Sequence, residues 1–293
     1  MKDERAVLII AYHFPPDAAV GALRPQKFVK YLPELGWKPY VLTIKERYIE
    51  RLDVGRLDDV VGTVVVRTDF WRTPLQFFFD LRDRFLDHRP ANTVLDSVFV
   101  HPISPARMTF PARLKRFVVE LNSFPDGMMY WTIPAVWAGW RIIRRERIST
   151  LYATAPPHTV CLVGLLLSWL TGARLVIDFR DPWRLFRRYL RDSDRSSLYD
   201  TFEALCERLV IRRAKTVISA TERSTAAVRS SYPGLDPEKF VTISNGYDAV
   251  DFDSDPDSQR KNDKYIISYL QACFLTNLSG DTCFALNSRS ICC

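Results

Sequence analysis

The chain has 293 residues, enough for one large domain or two small ones with a full core. Apolar residues make up 47% and charged residues 26%, the balance of an ordinary soluble protein. The longest apolar helical run, Val160–Leu170, is about half of a bilayer crossing, which sets a membrane-spanning chain aside, while a net charge of +7 points to an anionic partner: phosphate, nucleic acid or acidic lipid.

The chain opens on a charged run, Met1-Lys2-Asp3-Glu4-Arg5, with an apolar stretch of strand length behind it, so no signal peptide is expected. Strand Ala6–Tyr12 leads into a long loop, His13 to Arg24, and a helix that opens with Pro25 and runs to Leu35. Gly36-Trp37 hands over to strand Tyr40–Ile44. This is half of a parallel nucleotide-fold sheet, yet its first turn lacks the Gly-x-Gly-x-x-Gly of a dinucleotide site. That argues against a dehydrogenase or an epimerase, and the glycine-lysine signature of a P-loop is missing as well.

Strand Thr63–Arg67 and a helix over most of Pro74–Asp87 come next. From Asp87 to Tyr130 the rhythm breaks. Pro102, Pro105, Phe110, Pro111, Phe117, Phe124 and Pro125 mark an insertion at about 87–130, either a cover packed on the sheet or a flap that shapes an acceptor pocket or touches lipid. Alternation then resumes: helix Ile133–Arg147, strand Thr150–Thr154, helix Pro157–Leu170 and strand Arg174–Asp178. Helix Ser197–Arg213, strand Thr216–Ser219, helix Glu222–Ser231 and strand Phe240–Ile243 complete the series. Pro25 and Pro157 each suit a first helical turn, where a missing N–H costs nothing. The predicted fold class is α/β, a Rossmann-like parallel sheet with helices on both faces over residues 1–250, plus a short C-terminal stub.

Residues 251–264 are polar, charged and proline-containing, as in a linker. Tyr265–Leu270 then starts like the first strand of a second Rossmann domain, but 265–293 is too short to build one and reads as an irregular, aborted start. Cys161 and Cys206 are the only cysteines in the first 270 residues, and a reducing cytoplasm suits this body. Cys273, Cys283, Cys292 and Cys293 crowd the tail without CxxC spacing or a nearby histidine, so no metal site is expected; a truncated or frameshifted end fits better than a designed tail.

In an open parallel sheet, ligands bind outside the carboxyl ends of the strands. Gly21, just ahead of a helix, either lets backbone N–H groups approach a phosphate or sugar oxygen or simply makes a turn. Arg24 either clamps an anion in a bidentate fork or sits exposed. His158, expected in the first turn of its helix where the dipole disfavours imidazolium, either bonds a sugar hydroxyl as a neutral ring or is structural. The segment Asp178-Phe179-Arg180-Asp181-Pro182-Trp183 is the strongest constellation: its carboxylates and arginine can orient a hydroxyl, balance developing charge, or lock the loop by internal pairing. Asn245-Gly246 reads as a tight turn with positive φ. Arg184, Arg187, Arg188 and Arg191 fall on one helical face, and Arg141, Arg144 and Arg145 repeat the pattern. Such stripes bind anionic lipid headgroups or substrate phosphates, or are solvated faces partnered by Asp192, Asp194 and Glu146.

Taken in order, Phe14-Pro15-Pro16 with Gly21 and Arg24, Tyr31 to Trp37, Val41-Leu42-Thr43, Ala155-Pro156-Pro157-His158, Asp178 to Trp183 and Asn245-Gly246-Tyr247-Asp248 resemble the N-terminal half of family-4 (group 1) glycosyltransferases of the GT-B fold. The resemblance runs from about Val7 to Asp248. It implies a retaining transfer from a nucleotide sugar to a saccharide or lipid-linked acceptor held by this half, in envelope or lipid-linked saccharide synthesis. The setting it implies is cytoplasmic, with peripheral contact at the inner face of an anionic membrane. No cofactor is implied beyond the nucleotide sugar, which is a substrate. Asp181 and His158 would then lie at the reacting sugars, with Gly21, Arg24, Arg180, Asn245 and Gly246 binding substrate.

The chain departs from that family in two places. Ala18-Ala19 precede a single Gly21 where the family carries paired glycines. Nothing after Leu270 supplies the basic pair and Glu-x7-Glu through which the family's C-terminal domain binds the donor. The resemblance therefore implies an acceptor half with the donor domain truncated and little or no transferase activity alone. The alternative is a non-catalytic binding module for an anionic glycan or lipid headgroup. Nucleic acid is not an expected partner, because the arginines lack an interleaved aromatic stacking platform.

Overall fold

Runs of apolar, largely β-branched residues make strands that are buried on both sides, the pattern of a parallel sheet covered by helices. The computed structural model describes residues 5–71, 124–184, 197–252, 266–276 and 282–292. Strands β1 (Arg5–Ile10), β2 (Trp37–Ile44), β3 (Val64–Thr68), β4 (Thr150–Ala155), β5 (Arg174–Phe179), β6 (Thr216–Ser219) and β7 (Phe240–Thr242) form one sheet in the order β3-β2-β1-β4-β5-β6-β7. Every neighbouring pair in it is parallel. The helices are α1 (Leu23–Tyr31), α2 (Thr132–Glu146), α3 (Thr159–Thr171), α4 (Ser197–Arg213) and α5 (Glu222–Ser231). This is the α/β, Rossmann-like arrangement that the alternation predicted.

Side chains alternate along β1. Leu8 and Ile10 join the larger core with Ala135 and Ile142 of α2, Val160 and Leu167 of α3, and Val210 and Ile211 of α4. Val7 and Ile9 join a smaller core with Val29 of α1 and Tyr152 of β4. Each fully buried leucine or isoleucine of this kind contributes about 1.5–3 kcal/mol. Close approach between layers depends on two glycines. A Cβ on Gly139 of α2 would lie 2.6 Å from Leu167 Cδ1, and one on Gly164 of α3 would lie 2.9 Å from Leu175 Cδ1 and 3.1 Å from the Ala153 Cβ.

All seven predicted strands are observed. Helix α1 starts at Leu23, ahead of Pro25, and passes into a 3-10 turn over Leu32–Leu35 that Gly36 ends at φ 74°. Pro157 lies outside α3, because His158 is the capping residue that precedes Thr159. The helix expected over Pro74–Asp87 and most of the 87–130 insertion lie outside the described residues, as does most of the 251–264 linker.

By contacts the chain divides into Met1–Gly246 and Tyr247–Cys293. Within the second unit, the irregular tail expected over 265–293 is instead a hairpin: β8 (Ile266–Thr276) pairs antiparallel with β9 (Thr282–Cys292). Among the described residues, no helix is long and apolar enough to cross a membrane.

Candidate functional site

The sheet order places β1 beside β4, where the direction of winding reverses, and the loops that leave the carboxyl ends of these strands face one rim. Asp178, next to last in β5, is fully buried on the α1 side of the sheet. Strand pairing sets Thr154 opposite it, with Tyr152 two residues earlier on the same face. A carboxylate buried this deeply requires a cation and hydrogen-bond donors. Arg24 supplies the cation from the start of α1, with Nε donating to Asp178 Oδ2 at 2.7 Å and Nη2 to Oδ1 at 3.2 Å. Tyr152 Oη donates to the same Oδ2, and Thr154 Oγ1 does so at 3.2 Å.

The remaining Arg24 donors run to the end of β7. Nη2 reaches the Ile243 carbonyl at 2.9 Å, and Nη1 reaches the Ser244 carbonyl and Asn245 Oδ1, each at 3.2 Å. All five N–H groups of a guanidinium are thereby engaged. Burial alone would lower the pKa of Arg24, but its hydrogen bond and charge pairing with Asp178 outweigh that and hold it above the usual value. Burial, reinforced by Asp178, drives the Tyr152 phenol well above its ordinary range. Arg24 is therefore a tie between α1, β5 and β7, not the anion clamp that its position at a helix start had implied. Asn245 belongs to that tie. Gly246 does not adopt the positive φ expected of it, and a Cβ there would meet nothing within 4 Å.

A second cluster faces outward from the tie. Arg180, just past β5, donates from Nη1 to the Gly21 carbonyl at 2.7 Å, from Nη2 to the Pro156 carbonyl at 2.7 Å and from Nε to the Ala155 carbonyl at 3.2 Å. Two of its five N–H groups remain, and among the described residues no carboxylate lies within ion-pair distance. Burial pulls its pKa below the usual guanidinium range, and the charges of Asp178 and Asp181 offset this only in part. A desolvated guanidinium without a carboxylate is a strong place for an anion to bind.

Gly21 is what lets Arg180 sit there. A Cβ on Gly21 would stand 3.0 Å from Arg180 Nη1, 3.2 Å from Nη2 and 3.3 Å from His13 Cδ2. His13 Nδ1 pairs with Asp17 Oδ2 at 2.7 Å, and Asp17 Oδ1 accepts from the Ala19 N–H at 2.9 Å. In the neutral ring this pairing keeps the proton on Nδ1 and leaves Nε2 as an acceptor. Asp181, half-buried, lies next to Arg180 at the head of the following loop.

His158 is 8% exposed, occupies the N-cap position of α3 without a side-chain capping bond, and stacks on Trp183 with ring centroids 4.9 Å apart and planes 14° from parallel. Trp183 is fully buried and donates from Nε1 to Glu203 Oε1 at 2.8 Å. The ring thus packs on Trp183, two residues past Asp181. Arg184, half-buried, lies close enough to Glu207 for its charge to counteract that group's raised pKa. Arg187, Arg188 and Arg191 lie outside the described residues.

Three site residues escaped the sequence reading. His13 and Asp17 form an i, i+4 pair within a loop, and a histidine and a carboxylate at that spacing directly after a strand was the signal available. Tyr152 looked like an ordinary strand aromatic until the register set it beside Asp178.

A family described as the glycosyl transferase 4-like domain matches residues 21–246. No curated protein sequence matches the chain. Among solved structures, MurG of Acinetobacter baumannii aligns at 12% identity and a TM-score of 0.36, over 75% of this chain and 42% of that one. UDP-N-acetylglucosamine 2-epimerase from Rickettsia bellii aligns at 9% and 0.36, over 83% and 45%. Phytolacca americana UGT2, solved with UDP-2fluoro-glucose and pterostilbene, aligns at 9% and 0.41, over 83% and 54%. The chain thus spans about half the length of each.

Proposed function

The chain belongs to the glycosyl transferase 4-like domain family, and on that footing we propose that it forms the acceptor side of a retaining, nucleotide-sugar-dependent glycosyltransferase. One observation carries the reading. At the switch point of the sheet, a desolvated Arg180 is held by three backbone carbonyls, packed on Gly21, and flanked by the His13–Asp17 pair, with two N–H groups left for an anion. A phosphate of the donor or of a lipid-linked acceptor is the anion that suits it. His13 Nε2 is then placed to accept from a sugar hydroxyl, and Asp181 to balance charge developing at the reacting sugar.

In such a transfer the acceptor oxygen bonds to the anomeric carbon while the bond from that carbon to the nucleotide's phosphate oxygen breaks. The acceptor's proton leaves with the departing phosphate. The acceptor is a saccharide or lipid-linked saccharide of envelope synthesis, handled at the cytoplasmic face of an anionic membrane. In this reading the donor nucleotide is held mainly by a second domain, and residues 21–246 supply the acceptor side.

The test is acceptor binding and donor-dependent product formation by the purified chain, with a panel of nucleotide sugars and lipid-linked saccharides. The expected result is acceptor binding that Arg180→Gln weakens, with little transfer. Robust transfer by the chain alone sinks the half-enzyme reading. Absence of any saccharide or lipid-phosphate binding sinks the transferase reading.

A further inference from the structure

Helix α2 is apolar on two opposite sides. Ala135, Gly139, Ile142 and Ile143 face the core, where apolar residues belong. The outward positions Ile133, Trp137, Trp140, Arg141 and Arg144 follow at spacings of three, four and one, which keeps them on one stripe about 16 Å long. Ile133 is 56% exposed, Trp137 60% and Trp140 39%, and Met129, just before the helix, is 37% exposed. Side chains of this size are rarely left in water as a contiguous row without a partner.

The charge on the stripe is of one sign. Arg141 stacks its guanidinium 4.6 Å from the Trp137 ring centre, and Arg144 lies 5.8 Å from that of Trp140. Neither arginine meets a carboxylate within ion-pair distance among the described residues. The helix's one carboxylate, Glu146, accepts from Tyr40 Oη at 2.8 Å and pairs with Arg145 Nε at 3.1 Å, so its charge is already spent.

We propose that this outer face of α2 is a docking surface for an anionic lipid bilayer. Tryptophan has an apolar body and a polar N–H, which suits the boundary between headgroups and acyl chains. Arginines stacked on such rings reach lipid phosphates from just above that boundary. A second copy of the chain fits the same face poorly, because a two-fold contact would set unpaired arginines against each other.

The direction of the helix gives the surface a purpose. Glu146 ends α2 only four residues before β4 begins, so the start of the helix lies at the opposite end, where the strands finish and Arg180 and His13 stand. A bilayer against the stripe would run beside the rim. The proposal rests on the membrane-side acceptor reading above and names the surface that reading needs.

The experiment is sedimentation of the purified 293-residue chain with vesicles of phosphatidylcholine alone or mixed with phosphatidylglycerol. The expected result is binding to the anionic vesicles that weakens with salt and falls at least about tenfold in Trp137→Ser/Trp140→Ser and in Arg141→Gln/Arg144→Gln. All four sites are exposed, so unchanged circular dichroism and urea midpoints are expected, and brominated lipid should quench the wild type more than the tryptophan variant. Anionic binding that both variants retain in full overturns this surface while leaving membrane contact intact. Lack of binding to either vesicle overturns both. Self-association in solution that the same variants abolish assigns the face to a second copy and also overturns the proposal. No transfer assay enters, so its failure and that of the transferase reading are separable.

Discussion

Removing Arg24 is the sharpest test of how the rim is built. Arg24→Ala strips a fully buried Asp178 of its cation and leaves only Tyr152 Oη and Thr154 Oγ1 donating to it. Breaking a buried pair from one side costs about 3–5 kcal/mol, because the surviving charge stays desolvated. The hydrogen-bond view agrees. Two bonds to a charged acceptor at roughly 1.5–3 kcal/mol each span the same range, and they describe the same interaction, so the two figures do not add. Against a total stability of about 5–15 kcal/mol this is a large loss. With an m-value of about 2–3 kcal/mol/M in urea, the midpoint should fall by roughly 1–2 M with m unchanged.

The double variant Arg24→Met/Asp178→Leu separates a charge effect from lost packing. Replacing both partners with apolar side chains should recover most of the loss, since no uncompensated charge remains. Urea unfolding followed by circular dichroism measures both. An Arg24→Ala midpoint within about 0.3 M of the wild type, close to the precision of the measurement, would show that Asp178 is not held as described. A double variant no more stable than the single one would refute the electrostatic account. The tie also sets where Gly21 stands relative to Arg180, so Arg24→Ala should weaken anion binding at the rim even under conditions where it remains folded.

Other expectations follow from the same geometry. Burial raises Glu207 to about 7, against the opposing charge of Arg184 and with help from Glu203, so the folded protein holds this proton more tightly than the unfolded chain. Stability should therefore be fully present below pH 4.5 as far as this group is concerned and decline as pH rises to about 7, by on the order of 3 kcal/mol; Glu207→Gln should flatten that slope, and an unchanged slope counts against it. Gly164→Ala should cost about 1–3 kcal/mol in urea unfolding, because Leu175 Cδ1 can turn away but the Ala153 Cβ, 3.1 Å off, is fixed to β4. Gly21→Ala should scarcely alter stability, since flexible guanidinium atoms can yield. By displacing Arg180 it should nevertheless weaken phosphate-bearing ligands roughly tenfold to a hundredfold in calorimetry, as Arg180→Gln would; equal affinity in both variants would remove Arg180 from the site.

Local chemistry alone was enough to read the scaffold. Leu8 to Ile10, Val41-Leu42 and Leu175 to Ile177 are runs that only doubly buried strands use, and the helical periods between them leave a parallel sheet as the economical arrangement. The rim was legible for the same reason: in such a sheet every loop that follows a strand end emerges on one side. The division of labour within the rim was not. Arg24 and Asp178 are 154 positions apart, and their pairing depends on strand order and on the period-two face that also presents Tyr152 and Thr154. Burial separated the arginines, giving Arg24 five internal acceptors and leaving Arg180 with donors to spare. It also set the His158 ring in a stack on Trp183, two residues past Asp181. Identity and spacing report what a side chain is able to bond. Which of those bonds it has left to offer a ligand depends on neighbours that reach it from distant parts of the chain, and those are assembled only when the strands close into a sheet.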